Sequence, residues 1–291
     1  MTVGNRSCPL GVVAAIVFVA VGDAGVAWSD GPPQDAGVEG AAPAATPPSS
    51  LDPSPAIGSC PAGMVDVEGD YCPDLPEQKC VKWVSTAGLR CAEFAKSEAC
   101  AAPTLRKHFC MDRFEYPNVA GENPIVMKNW YEARLLCTSS SKRLCNESEW
   151  TLACEGPNRL AYPYGLVRDA TACNIDKAAI NPHEADLRRV DKRDAEAKRL
   201  WQGEPSGARA RCISDFGVQD LTGNVDEWVV NEKGKPHQSA LKGGYWSWVR
   251  GRCRPVTDGH AEDFRYYQIG FRCCADPAAA VASSVEASRT H

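Results

Sequence analysis

Fifteen cysteines in 291 residues constrain this chain more than any other feature. A reduced cytosolic enzyme usually carries far fewer, and the spread from Cys60 to Cys274 reads as a disulfide framework built in an oxidising compartment. The first segment agrees with that compartment. Arg6 is followed by an apolar stretch, Leu10 to Val21, and then by the small residues Gly22, Ala24, Gly25 and Ala27, the order of a secretory signal peptide. Residues 1–27 are therefore expected to form a leader cut near Ala24 or Ala27. Cys8 precedes the apolar stretch, so it is not placed as a lipid acceptor, and its removal leaves an even fourteen cysteines. No stretch reaches the roughly 20 apolar residues of a membrane span, so the mature chain is expected to lack a transmembrane anchor.

Composition divides the remainder. Residues 28–58 are Ser, Ala, Gly, Asp and Pro, a composition that cannot build an apolar face and reads as a disordered linker. Residues 59–276 are mixed, with aromatics, glycines and short apolar runs, and fit one domain. Residues 277–291 return to Ala and Ser and read as a disordered tail. With 44% hydrophobic residues the domain can bury a core, and a formal charge of −5 leaves no cationic surplus for nucleic acid.

Local patterns place a few elements. Asn129 and Glu132, and again Asn146 and Glu149, have the spacing of a helix-capping box, each ahead of an apolar run. Val225 to Val230 and Leu241 to Val249 read as irregular strands and turns, and the charge-alternating run Glu184 to Arg199 as a solvated helix or loop. His108, His183, His237, His260 and His291 have no zinc-like spacing. Neither a Gly-rich phosphate loop nor a nucleophile elbow occurs in the sequence.

Several ordered motifs carry a stronger signal. They are Lys142-Arg143-Leu144-Cys145-Asn146-Glu147-Ser148-Glu149-Trp150, Tyr162-Pro163-Tyr164-Gly165, Gly217 to Trp228, Lys242-Gly243-Gly244 and Gly270-Phe271-Arg272-Cys273. In this order they resemble the formylglycine-generating enzyme family, also called the sulfatase-modifying factor family, over about Gly63 to Asp276. The resemblance implies an α+β domain low in regular secondary structure, a variant of the C-type lectin fold, here rich in disulfides.

The family's active members oxidise a sulfatase cysteine with copper held by two reactive cysteines, a donor set that suits soft Cu(I). The first copper cysteine would fall on Trp248 and a nearby serine on Tyr245, so Tyr245, Trp248 and Cys253 are the pocket candidates and copper is not expected. Cys253 better matches the family's next, structural cysteine. The resemblance then implies Cys137 with Cys273 and Cys154 with Cys253. Beyond it, Cys173 with Cys212 and Cys145 with Cys274 are expected, while Cys60, Cys72, Cys80, Cys91, Cys100 and Cys110 can pair in any of about 15 ways.

A structural Ca²⁺ site is implied on Asp220, the carbonyls of Gly223 and Val225, and Glu227, an oxygen-rich set of the kind this ion takes. The alternative is that Asp220 caps the turn and Glu227 pairs with an arginine. Asp226 stands where the family has an apolar or aromatic residue. Trp246, Trp248, Arg250 and Arg252 are the candidate ligand surface, although such an aromatic cluster also suits a core.

The leading expectation is an exported binding or scaffold module that has lost oxidase chemistry, acting on an unidentified protein, peptide or envelope ligand. A formylglycine-generating oxidoreductase, or another oxidative enzyme in the same pocket, is the rival. An envelope adaptor tethered through the Pro-rich segment is a third reading. Periplasm, cell surface and medium are equally open destinations.

Overall fold

The computed structural model describes residues 60–84, 90–248 and 250–278. The expected leader, the linker and all but the start of the tail lie outside the described residues.

The strand β1 (Met64–Tyr71) opens the domain, and its alternation sends Val65 and Val67 into the core and Asp66 and Glu68 outward. A short hairpin of β2 (Cys80–Trp83) and β3 (Cys91–Phe94) follows. Next, β4 (Leu105–Asp112) pairs antiparallel with β1, from Met64 opposite Asp112 to Tyr71 opposite Leu105.

Helix α1 (Trp130–Ser139) starts at Asn129, whose side chain accepts from the Glu132 amide at 2.9 Å while Glu132 accepts from the Asn129 amide at 2.9 Å. After β5 (Arg143–Leu144) comes α2 (Glu147–Glu155), where Glu149 accepts the Asn146 amide at 2.8 Å and both guanidinium arms of Arg143 at 2.7 Å. The charge-alternating run forms two short helices, α3 (Glu184–Leu187) and α4 (Arg193–Leu200), each burying one leucine, Leu187 and Leu200.

The carboxyl-terminal strands are β6 (Asp226–Val230), β7 (Ser239–Lys242), β8 (Val256–Thr257), β9 (Ile269–Phe271) and β10 (Cys273–Ala275). Two four-stranded sheets result, β1-β4-β10-β5 and β8-β7-β6-β9, beside the β2-β3 ribbon. The pairing of β6 with β9 is parallel and the rest is antiparallel. The last strand is thus interleaved with earlier ones: β10 sits between β4 and β5.

Seven disulfides join Cys60–Cys110, Cys72–Cys100, Cys80–Cys91, Cys137–Cys273, Cys145–Cys274, Cys154–Cys253 and Cys173–Cys212. Three of them close long loops, with sequence separations of 136, 129 and 99. In the chain-entropy account each such bridge is worth about 4–5 kcal/mol before strain. Cys145, Cys154, Cys253 and Cys274 also pack in the main core with Trp150, Leu152, Phe109 and Met111. A second core gathers Trp130, Trp228, Ile269 and Phe271 around Cys137 and Cys273.

Candidate functional site

The run from Asp220 to Trp228 enters β6 through a turn in which Asp220, Gly223 and Asn224 all have positive φ. Gly223 is required there: at φ 79° a Cβ would stand 2.3 Å from the Asn174 carbonyl oxygen. Around this turn the protein buries the carboxylates of Glu115, Asp220, Asp226 and Glu227 and the guanidinium of Arg272.

Glu227 is fully engaged by protein donors. Its Oε1 accepts Arg272 Nη2 at 2.7 Å, and its Oε2 accepts Arg272 Nε at 2.7 Å and Trp150 Nε1 at 2.9 Å. Asp220 accepts the Gly207 amide at 2.7 Å. Glu115 accepts Ser206 Oγ at 2.8 Å and the Asn224 side-chain amide. Burial, with the nearby Asp220 and Glu227 charges, pushes the Glu115 carboxyl well above its usual range.

These contacts decide how well the set Asp220, Gly223, Val225 and Glu227 fits calcium. A carboxylate held in a fork by a wholly buried guanidinium and capped by an indole is already neutralised, which weakens it as a ligand for a cation. Among the described residues no group of three or more acidic, histidine or cysteine side chains is arranged to hold a metal. Both carboxylates of the set are thus committed to protein donors. Glu227 pairs with an arginine, and Asp220 holds the Gly207 amide across the fold rather than capping its own turn.

The second half of the site begins where β7 ends. Lys242 is wholly buried, donates to the Arg254 carbonyl at 2.8 Å and lies 5.3 Å from the centre of the Trp150 ring. Burial pushes its ammonium down to about 7. Gly243, at φ 88°, lets the backbone pass where a Cβ would meet the Leu221 carbonyl at 2.9 Å and Trp150 at 3.0 Å. The chain then lays Tyr245, Trp246 and Trp248 on three different surroundings.

Trp246 corrects the expected ligand surface. It is 1% exposed and packs edge-on against Trp201 and Tyr245 in a core with Leu187 and Leu200, so it is a buried anchor and no ligand platform. Trp248 is the opposite case, 57% exposed, with Nε1 donating to the Asp176 carbonyl at 2.9 Å and the Arg90 guanidinium 5.0 Å from its ring centre.

The three pocket candidates do not converge. Tyr245 lines a cavity of about 350 Å³ with His260 and Phe264, whereas Trp248 lines one of about 870 Å³. Cys253 is buried in its bridge to Cys154. Arg250 reaches both cavities and pairs with the buried Asp226 at 2.6 Å. That contact gives Asp226 its role: its other oxygen faces the Gly244 amide at 3.3 Å, tying the glycine turn to the arginine.

The larger cavity contains residues that no motif singled out. Trp83 and Arg90 come from the β2-β3 hairpin, and Phe94 and Arg168 complete the wall beside Arg252. Arg168 and Arg90 share the Asp176 carboxylate, at 2.6 and 3.1 Å. Arg252 lies with its guanidinium 4.6 Å from the centre of the Phe94 ring.

Comparison with known proteins decides the family. The family model of the sulfatase-modifying factor enzyme 1-like domain matches residues 77–277, more than half of the chain. The chain belongs to this family. A family member from Bos taurus, inactive C-alpha-formylglycine-generating enzyme 2, is 27% identical over 175 residues, covering 52% of this chain and 50% of that protein. The formylglycine-generating enzyme of Bos taurus is 24% identical over 189 residues, covering 53% of this chain and 44% of that protein. The chain thus spans about half the length of the curated relatives it matches. Among solved structures, CarF aligns over 74% of this chain and 98% of its own with a TM-score of 0.49 and 16% identity. PvdO from Pseudomonas aeruginosa aligns over 73% of this chain and 94% of its own, with a TM-score of 0.45 and 16% identity.

The architecture is accordingly that of a sulfatase-modifying-factor domain: mixed α and β, low in helix and bound by seven disulfides. No helix among the described residues is long and apolar enough to cross a membrane.

Proposed function

We propose that this chain is an exported sulfatase-modifying-factor-like module that has lost copper oxidase chemistry and serves to bind a peptide, protein or envelope ligand. The observation that carries this reading is the state of Cys253. It is the one cysteine between the Lys242-Gly243-Gly244 turn and Cys273, and it is joined to Cys154 in the core. Trp248 occupies the place implied for the first copper thiolate, and an indole has no sulfur to offer Cu(I). A dithiol copper centre therefore lacks both donors.

Export is supported by the density of bridges, which persist in oxidising compartments, and by the order of charges and apolar residues in residues 1–27. The relative named as an inactive formylglycine-generating enzyme is a precedent for a member of this family without that activity.

The test is direct. Purified protein loaded with Cu(I) and incubated aerobically with a cysteine-bearing sulfatase peptide is expected to yield no aldehyde by mass spectrometry, and Cys253→Ser is expected to leave that result unchanged. Formation of formylglycine that depends on Cys253 would overturn the proposal.

A further inference from the structure

Five cationic side chains and three aromatic ones surround the cavity of about 870 Å³. Most of its cations are already answered: Lys79 by Glu98, Arg90 and Arg168 by Asp176, Arg250 by Asp226. Arg252 is the exception. It forms no ion pair among the described residues, although it is more than half buried, and that burial works against its charge. The Phe94 face 4.6 Å away offers it a quadrupole but no anion. Glu77 stands at the same cavity and influences Arg252 without reaching ion-pair distance. A partly desolvated guanidinium with no carboxylate in ion-pair reach is poised to take one from outside, because its planar fork matches that group with two hydrogen bonds.

The surroundings indicate what carries the carboxylate. Trp83 is 51% exposed and Trp248 57%, and both line the cavity, giving it apolar walls that stay wet in the free protein. Tryptophan and arginine together are the composition of binding hot spots. The volume lies high in the roughly 300–1,000 Å³ range of ligand sites, room for several residues of a peptide rather than a lone ion. The strand β2 has β3 as its one strand partner among the described residues, leaving an outer edge on which an extended backbone can add.

Resting on the reading of this domain as a binding module, we propose that the cavity between the β2-β3 hairpin and the Trp248 loop receives an acidic peptide, whose Asp, Glu or terminal carboxylate is held by Arg252 between Trp83 and Trp248. Asp176 holds Arg90 and Arg168 in place, and Trp248 is fixed by its bond to the Asp176 carbonyl.

The test presents the full chain to an array of synthetic hexapeptides in which each Asp or Glu has an Asn or Gln counterpart, with polyuronate spots beside them. Acidic peptides are expected to be retained about tenfold or more over their amide counterparts. Arg252→Gln is expected to abolish the preference and Arg252→Lys to keep only part of it. Trp248→Ala, a change at an exposed side chain, is expected to weaken binding, and the distant exposed Lys192→Gln to leave it unchanged. An unaltered disulfide map and thermal midpoint show that the variants are folded.

Equal retention of acid and amide peptides, or an acid preference that survives Arg252→Gln, would overturn the assignment while leaving a binding module in place. Arg252-dependent capture of polyuronate without capture of any acidic peptide would overturn the choice of a peptide. Cu(I)-dependent oxidation of a cysteine peptide would instead remove the binding-module reading itself, so the two failures are distinguishable.

Discussion

At the residue scale, the buried charges bear most of the specificity of this fold. Arg272 is wholly buried, answers Glu227 through two bonds of 2.7 Å, and donates also to the Gln219 carbonyl at 2.9 Å. Breaking such a pair strands the remaining charge, so Arg272→Met is expected to cost about 3–5 kcal/mol in urea unfolding with the disulfides intact. Adding Glu227→Met should cost less than the sum of the two single changes by about 0.5–3 kcal/mol; strict additivity would show that the pair is not coupled. Lys242 gives a pH signature. Its folded value, pushed down to about 7, lies below its ordinary 10.5, so its stabilising contribution is present above about 10.5 and is lost as pH falls through 7. Relative to Lys242→Met, the wild-type protein is therefore expected to gain stability as pH rises from 7 towards 10, by up to about 1.4 kcal/mol per pH unit. A difference between the two that does not change with pH would contradict the burial argument. The calcium set shows why sequence reading stops short here. Spacing can place Asp220 and Glu227 around one turn, but the occupant of Glu227 sits 45 residues away on Arg272, and nothing local reveals whether a carboxylate is free or paired.

At the scale of elements, caps and motifs were readable because their physics is local. The amides at the start of α1 need acceptors, and Asn129 with Glu132 supplies them within four residues. Asn129→Ala is expected to cost about 1 kcal/mol, seen as a lower thermal midpoint. The aromatic run after Lys242-Gly243-Gly244 was not resolvable in that way. Alternating or clustered aromatics look alike whether they face a core or a ligand, and only tertiary packing against Trp201 and Tyr267 turns Trp246 inward while Trp248 stays outside. The β2-β3 hairpin was equally closed to sequence, since the six upstream cysteines carry no information about their partners beyond parity. Its bridge, Cys80–Cys91, has a sequence separation of 11, against 99 for Cys154–Cys253. Chain entropy makes loss of the longer one more costly by about 2 kcal/mol. Replacing Cys80 and Cys91 by serine is thus expected to loosen the Trp83 and Arg90 wall and lower peptide retention, with a smaller fall in thermal midpoint than the Cys154, Cys253 double serine variant shows. Equal falls would place the hairpin within the cooperative core.

At the scale of the whole molecule, the bridges and the sheets make one statement. Cys145–Cys274 and Cys137–Cys273 pin the last strand, β10, which lies between β4 and β5, so that strand is locked into the middle of the domain. In this scaffold Cys137, Cys145, Cys154, Cys253, Cys273 and Cys274 serve as covalent struts between distant parts of the sequence. The central claim is that no reactive dithiol exists between Cys60 and Cys274. Alkylation of unreduced, denatured protein followed by peptide mapping tests it most directly: the account predicts no label on any of these fourteen cysteines and a peptide joining Cys154 to Cys253. Alkylation at Cys253 together with a second cysteine of this region would contradict it.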